Sequence, residues 1–507
     1  MASNLLQVDN QIKRLEVWVE NGGLNTKQPS FQIADNESPD CKNVLYQDGC
    51  FRRRFGYSKL QSTNQPLEVN QATVWNVPFG TAGVTQYLAT CGTNVYKGSA
   101  DAAWTDTGNT VGDAEEAVDN AYGCRVGGYF IFSGGKSAGG VNSHLPYKWD
   151  LASTVTALDV DSQFTGATDM VVFENFLLAL GTNTNGTLDN YGRRVWYSDV
   201  NQIEVWGTGL SDYVDIDHTA GAIVRGLVDG RTLYLFKKDS VSTAVITGDS
   251  ARVFDWRVLT DIRGCPNRSA CVMTPAGPFF VSGDGVYNAR RIYENLAINV
   301  WASMRSGLVN LNQVAMVSCM EDSEIWLGQF AAGTPTFYVY NYVTGTWSKQ
   351  LLSHTMWSIQ SSATYEQAIN ADTVNEFLVF GGNVGNVWKY NKAYATDDGT
   401  AIDSYQCTKD FPLTSPTVKD RVKRIKFLAK ASLASQHVHV SYSVDFGASY
   451  SELTDGGSPV SITTNWVMYE VDANIDFAYT FRLKFHDASL EYQIPYFAID
   501  YISGQTR

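Results

Sequence analysis

The chain has 507 residues, 44% hydrophobic and 18% charged, with 27 Tyr, 24 Phe, 13 Trp and 43 Gly. That is too long for one ordinary domain, and the aromatic, glycine-rich mix favours strands and tight turns over helices. A formal charge of −14 argues against tight, non-specific DNA binding, which needs clustered Lys and Arg. No apolar run is long enough to span a membrane. The opening residues lack the charged start and apolar stretch of a signal peptide, so a soluble protein made in the cytoplasm is expected.

In chain order, a short aromatic or β-branched strand, a Gly-centred turn and a second strand recur. The segments are 85–96, 128–133, 175–198, 232–236, 277–287, 324–340 and 376–390. With Tyr87, Phe130, Leu177, Leu233, Phe279, Ile325 and Leu378 as anchors, the spacing is roughly 40–50 residues, which predicts a β-propeller of about four strands per unit. Each unit has an apolar face that it cannot bury alone, and a closed ring buries all of them. Runs such as Phe-Leu-Leu-Ala-Leu at 176–180 and Phe-Leu-Val-Phe at 377–380 suit strands covered on both faces. The expected fold is all-β, with a six- or seven-bladed propeller followed by a C-terminal β-sandwich. A set of β-sandwiches is the competing architecture. Residues 1–60 are read as an arm with strands that close the propeller, 61–400 as the propeller and 401–507 as the sandwich. A turn-rich linker at 393–400 precedes that last unit, whose strands at 438–444, 465–471, 479–485 and 494–501 alternate. Short helices are placed at 113–120 and 293–304.

The N-terminal pieces Gly22-Gly-Leu-Asn-Thr26 and Asn43-Val-Leu-Tyr-Gln-Asp-Gly-Cys-Phe-Arg-Arg-Arg-Phe-Gly-Tyr57 are followed in order by several others. These are Arg194-Val-Trp-Tyr-Ser-Asp199, Tyr213-Val-Asp-Ile-Asp217, Ala222-Ile-Val-Arg-Gly-Leu227, Gly264-Cys-Pro-Asn-Arg-Ser269 and Phe279-Phe-Val-Ser-Gly-Asp-Gly-Val-Tyr287. Their order resembles the β-propeller tail hub and nozzle proteins of short-tailed bacteriophages. The resemblance implies a structural virion protein located in the tail. It implies a homohexameric ring below the portal and its adaptor, bearing tail fibres, spikes or a plug, through which genomic double-stranded DNA passes without tight binding. The hole of one propeller is too narrow for a duplex, so the passage is expected on the six-fold axis.

Acidic walls repel DNA and keep it mobile, whereas basic walls would hold each phosphate. Solubility alone also accounts for the charge. Asp212, Asp215 and Asp217, with His218, form the densest acidic cluster and are the channel-lining candidates. A solvated strand edge and a Ca²⁺ site are the alternatives, the latter disfavoured because it needs six or more oxygens. Arg52, Arg53 and Arg54, together with Lys423, Arg424 and Lys426 in the run 419–430, are the candidates for contact with another subunit or the adaptor. A solvated face, edge protection and weak phosphate contact compete.

Ser443-Val-Asp-Phe-Gly-Ala-Ser-Tyr450 resembles the Asp-box of sialidase-like propellers, which is a hairpin device without catalysis. His437 and His439 share a strand face without a third ligand nearby, so they are read as exposed. The eight cysteines contain no C-x-x-C pair and are read as mostly buried thiols. Walker A, H-E-x-x-H and G-x-S-x-G are missing. No enzyme activity, cofactor or metal is expected. A carbohydrate-binding or glycan-cleaving propeller is the second reading, on the Trp and Tyr content and the lone Asp-box, and a cellular protein-interaction propeller is the third.

Overall fold

The computed structural model describes residues 11–60, 69–76, 85–91, 94–98, 103–110, 123–132, 145–150, 155–185, 187–308, 310–329, 336–368, 371–382, 385–433, 436–454, 459–487 and 491–504. Each of the seven anchors lies on the second strand of its own antiparallel sheet: Thr85–Cys91, Tyr129–Phe132, Phe176–Thr184, Thr232–Lys237, Gly277–Ser282, Glu324–Gln329 and Ala371–Gly382. The repeat is visible in sequence because these strands are nearly continuous apolar runs. Phe176–Thr184 is buried along all but its last residue, and Gly277–Ser282 along its whole length. A strand covered on both faces has no reason to alternate.

The first strands of consecutive sheets lie against one another. Gly123–Val126 meets Gly166–Phe173, which meets Ile223–Asp229, and so on through Cys271–Thr274 and Val314–Cys319 to Met356–Ala368. Met356–Ala368 in turn lies against Val69–Asn76 of the first sheet. Between the first and second sheets, Val95 packs with Phe130, Phe132 and Trp149. The circuit therefore closes, with first strands innermost, and this closed ring is a β-propeller. Tryptophans wedge the sheets together: Trp149, Trp206, Trp326 and Trp388 are wholly buried. Trp326 meets Tyr390 of the next sheet at 4.9 Å, edge to face, a contact worth about 1 kcal/mol beyond its buried area.

Two six-stranded sheets follow. One runs in the order Val467–Ala478, Asp420–Ala431, Tyr492–Ile502, Cys50–Arg53, Val44–Gln47, with Ile12–Trp18 also paired to Tyr492–Ile502. The other runs Ser451–Leu453, Gln436–Ser443, Arg482–Asp487, Ser404–Cys407, Cys41–Lys42, with Val460–Ile462 on Gln436–Ser443. Their apolar faces share one core, in which Phe485 of the second sheet lies 5.5 Å from Phe427 and 5.9 Å from Phe497 of the first. That core continues into the propeller through Phe279, Tyr338 and Trp347.

The N-terminal segment is divided between the two lobes. Gly56–Lys59 pairs with Val387–Asn391 and supplies the outermost strand of the last propeller sheet, Tyr57 facing Tyr390. Ile12–Trp18, Cys41–Lys42, Val44–Gln47 and Cys50–Arg53 join the two six-stranded sheets instead, while Gly23–Leu24 and Glu37–Ser38 pair with each other, so the unit read as 401–507 is completed by residues from the opposite end of the chain. Gly56 is required at the crossing, since a Cβ there would sit 2.0 Å from the Thr396 carbonyl oxygen. Of the two expected helices, 293–304 overlaps the helix Trp301–Gly307 only at its end, and 113–120 lies outside the described residues.

Candidate functional site

Asp212–Asp215 is the outermost strand of the third sheet, paired to Arg194–Tyr197. This puts the acidic cluster on the propeller rim. Arg194 donates from Nε and Nη2 to the two Asp215 oxygens at 2.8 and 2.9 Å, and its guanidinium lies 4.0 Å from the Tyr213 ring centroid. That hydrogen bonding raises the Arg194 pKa. Asp217 accepts from Asn190 Nδ2 at 2.7 Å and has Arg193 Nη1 at 3.7 Å. Asp212 is exposed and accepts from the Tyr213 amide at 2.8 Å. Burial and the Lys237 charge lower the His218 pKa. Two of the three carboxylates are thus already balanced by arginines, Arg194 on the neighbouring strand and Arg193 in the turn just before it.

The basic triplet does not form a surface. Arg54 is fully buried and bidentate on Asp397, at 2.7 and 2.6 Å. It also donates to Asn43 Oδ1 and to the carbonyls of Phe55 and Leu351. Arg53 is 1% exposed, and burial lowers its pKa. Arg52 pairs with Glu491, its guanidinium 4.5 Å from the Phe55 ring centroid. The expectation that this triplet meets another subunit is therefore corrected for Arg53 and Arg54, which are buried. Arg53 and Arg54 are enclosed where the propeller joins the six-stranded sheets, and Arg52 is partly covered. The cause is the chain crossing between lobes here, which brings in carboxylates from residues 397 and 491.

The second basic run lies on Asp420–Ala431, which is flanked by strands on both sides. It is an interior strand, so edge protection does not describe it. Its charged side chains line the outward face, opposite acids of Val467–Ala478. Arg421 pairs with Asp476 at 2.6 Å, Arg424 with Glu470 at 2.7 Å and Asp472 at 3.3 Å, and Lys426 with Glu470 at 2.7 Å. Lys423 is half-buried on the same strand.

The Asp-box closes the hairpin between Gln436–Ser443 and Ser451–Leu453. Ser443 Oγ accepts from the Gly447 amide at 2.8 Å, and Asp445 Oδ1 accepts from the Ser449 amide at 3.0 Å. Bonds from Ser449 and Ser443 hold the Asp445 carboxyl down to about 2. This is a turn, as its pattern implied. His437 is exposed, with Nδ1 3.1 Å from Ser461 Oγ. His439 stacks on His486 at 5.0 Å and contacts Glu452 through Nδ1 at 2.5 Å. Seven cysteines are free thiols and all but Cys124 are buried. Among the described residues, no three or more His, Cys, Asp or Glu side chains are grouped to hold a metal. No helix there is long and apolar enough to cross a membrane.

Several buried ionisable groups were not singled out from the sequence, Lys237 and Glu324 among them. Lys237 is enclosed and donates from Nζ to the carbonyls of Ile216 and Thr219 at 2.9 and 2.6 Å and to Thr219 Oγ1 at 3.0 Å. Burial pushes its pKa down to about 8. Glu324 is buried where the sixth sheet meets the Val44–Gln47 strand, accepting from Gln47 Nε2 at 2.6 Å and Trp326 Nε1 at 3.1 Å. In both cases the signal available was a charge beside a continuous apolar run, Leu233-Tyr-Leu-Phe-Lys237 and Glu324-Ile-Trp-Leu327.

No family model matches the chain, and no curated protein matches it. Similar solved structures include Saccharomyces cerevisiae Sqt1, at 8% identity and TM-score 0.37 over 66% of this chain and 99% of that one. The WD40 domain of Toxoplasma gondii coronin matches at 10% identity and TM-score 0.31 over 75% and 87%. Kluyveromyces lactis Hsv2 matches at 11% identity and TM-score 0.27 over 54% and 83%. Similarity at this level carries no functional argument, and the ring of sheets in this chain is the basis for its fold.

Proposed function

We propose that this chain is a non-catalytic structural protein of a bacteriophage tail, a nozzle or hub subunit that assembles into a ring and conducts double-stranded DNA. In this reading the seven successive sheets are seven blades, and the two six-stranded sheets are a β-sandwich fused to them. Six subunits enclose the passage on their common axis. One side of the ring docks the adaptor below the portal, and the other carries fibres, spikes or a plug.

The observation that carries the reading is how the N-terminal segment is used. The stretch that resembles the tail proteins, 22–57, completes both lobes, with strands in each six-stranded sheet and the closing strand of the propeller. A ring subunit through which DNA is driven needs lobes that cannot separate, and threading one segment through both achieves that. The net charge of −14, with many basic side chains already paired inside the chain, agrees with walls that repel DNA. The reading is tested by imaging the purified protein and tails that contain it. Six-membered rings beneath the portal are expected. A chain that stays monomeric in solution and on assembled tails overturns the proposal.

A glycan-binding function is the second reading, and one observation favours it. Tyr191 is 80% exposed and next to Asn190, which hydrogen-bonds Asp217. An exposed ring beside an amide and a carboxylate is suitable for stacking and hydrogen bonding to a sugar. Saccharide binding lost in Tyr191→Ala would favour this reading over the first.

A further inference from the structure

The six-stranded sheet that contains the N-terminal strand ends in two edges whose side chains match. Across one part of it the order is Ile12–Trp18, Tyr492–Ile502, Asp420–Ala431, Val467–Ala478, each strand antiparallel to the next. No strand among the described residues pairs with the outer side of Ile12–Trp18 or of Val467–Ala478. Val17, Val471 and Ile475 face the core and are buried. On the outward face, Arg14, Asp500, Arg424 and Asp472 are successive cross-strand neighbours. Their charges alternate from a cation at one edge to an anion at the other. A second outward row, Trp18, Tyr496, Leu428 and Met468, is apolar. Its ends stand free: Trp18 is 63% exposed and Met468 is 50% exposed.

We propose that Ile12–Trp18 of one copy of this chain pairs antiparallel with Val467–Ala478 of the next, so that the sheet continues from subunit to subunit. The directions allow it, because placing the first strand beside the last preserves the antiparallel alternation. The pairing gives partners to edge N–H and C=O groups that otherwise invite promiscuous association. Side chains repeat every two residues, so outward groups must meet outward groups. In the register that sets Arg14 opposite Asp472, Trp18 lies opposite Met468 and beside the exposed Trp466, while Glu16 lies opposite Glu470, a like-charge pair that the other contacts must outweigh. The occupant is a second copy because exposed apolar ends, Trp18 and Met468, and opposite charges sit on opposite edges of the same sheet; Arg14 is already bidentate on Asp500 and Asp472 already beside Arg424, so the seam continues an existing row of alternating charge. Such a contact joins two different surfaces and generates a ring if its rotation closes. This inference rests on the ring assembly proposed above and specifies the seam that would build it.

The test uses the full chain with Trp18→Cys and Met468→Cys together, oxidised mildly under assembly conditions while the same sample is imaged. A ladder of disulfide-linked multiples that collapses on reduction is expected. Mixing a Trp18→Cys chain with a Met468→Cys chain should give linked dimers and nothing larger through this seam, and neither single variant should link to itself through it. A Met468→Lys chain, which sets a charge against Trp18 at a position already half exposed, should assemble far less while keeping its melting temperature near that of the parent. Rings in the images without the ladder overturn the seam and leave the ring standing. Monomers in both chain preparations and tails overturn both.

Discussion

A guanidinium removed from water must find its acceptors inside the fold, and Arg54 finds five: both Asp397 oxygens, Asn43 Oδ1 and two backbone carbonyls. Asp397 also accepts from Ser353 Oγ at 2.8 Å, so one buried pair joins the N-terminal segment to the propeller's last turn. Arg54→Met leaves that carboxylate buried and unpaired and should lower stability by about 3–5 kcal/mol. Arg54→Lys should recover little, lacking the planar fork. Denaturant titration of the three proteins measures both effects. Glu324 presents the opposite case, a buried carboxyl without a direct cation. Burial, assisted by the Asp322 charge, pushes its pKa up to about 8. The folded protein therefore retains a proton that the unfolded chain releases near its ordinary value of 4.5. This group's contribution is fully present below 4.5 and falls as pH rises, until it is lost on passing through about 8. Glu324→Gln should gain on the parent protein between pH 5 and pH 9, read as a widening gap in denaturation midpoints.

Among the local elements, the Asp-box turn shows how completely a short motif can specify its own geometry. Ser443, Asp445 and Ser449 bond within a stretch of seven residues, and Phe446 and Gly447 take positive φ values of 60° and 83°. A Cβ on Gly447 would come 2.2 Å from Arg482 Nη1, whose guanidinium holds buried Asp410 through Nε at 3.0 Å. Gly447→Ala thus combines backbone strain with displacement of an ion pair. It should destabilise the protein by more than about 1 kcal/mol, measured as a shift in chemical denaturation. The repeated hairpins were legible in the same local way, because every anchor lies in an apolar run whose partner is the next strand. Arg52, Arg53 and Arg54 were not legible. Three consecutive cations resemble a solvated patch until residues more than 300 positions away supply their carboxylates.

For the whole molecule, interlaced strands predict interdependence. A fragment of residues 401–507 contains neither Ile12–Trp18 nor Val44–Gln47 nor Cys50–Arg53, and its Phe51 partners in the core are lost. It should lack cooperative unfolding by itself and regain it when residues 11–60 are fused to it through a flexible linker. Calorimetry of the two constructions distinguishes these outcomes. By itself the sequence determined the all-β class, the recurrence of the hairpins and the Asp-box turn, because each depends on patterns within a few tens of residues. Only the tertiary structure decided which strands the N-terminal segment completes and which charges are buried, along with the pairing of Asp215 and the two edges that no strand among the described residues pairs. Backbone pairing between distant strands uses N–H and C=O groups that every residue carries, so it leaves no mark in the order of side chains.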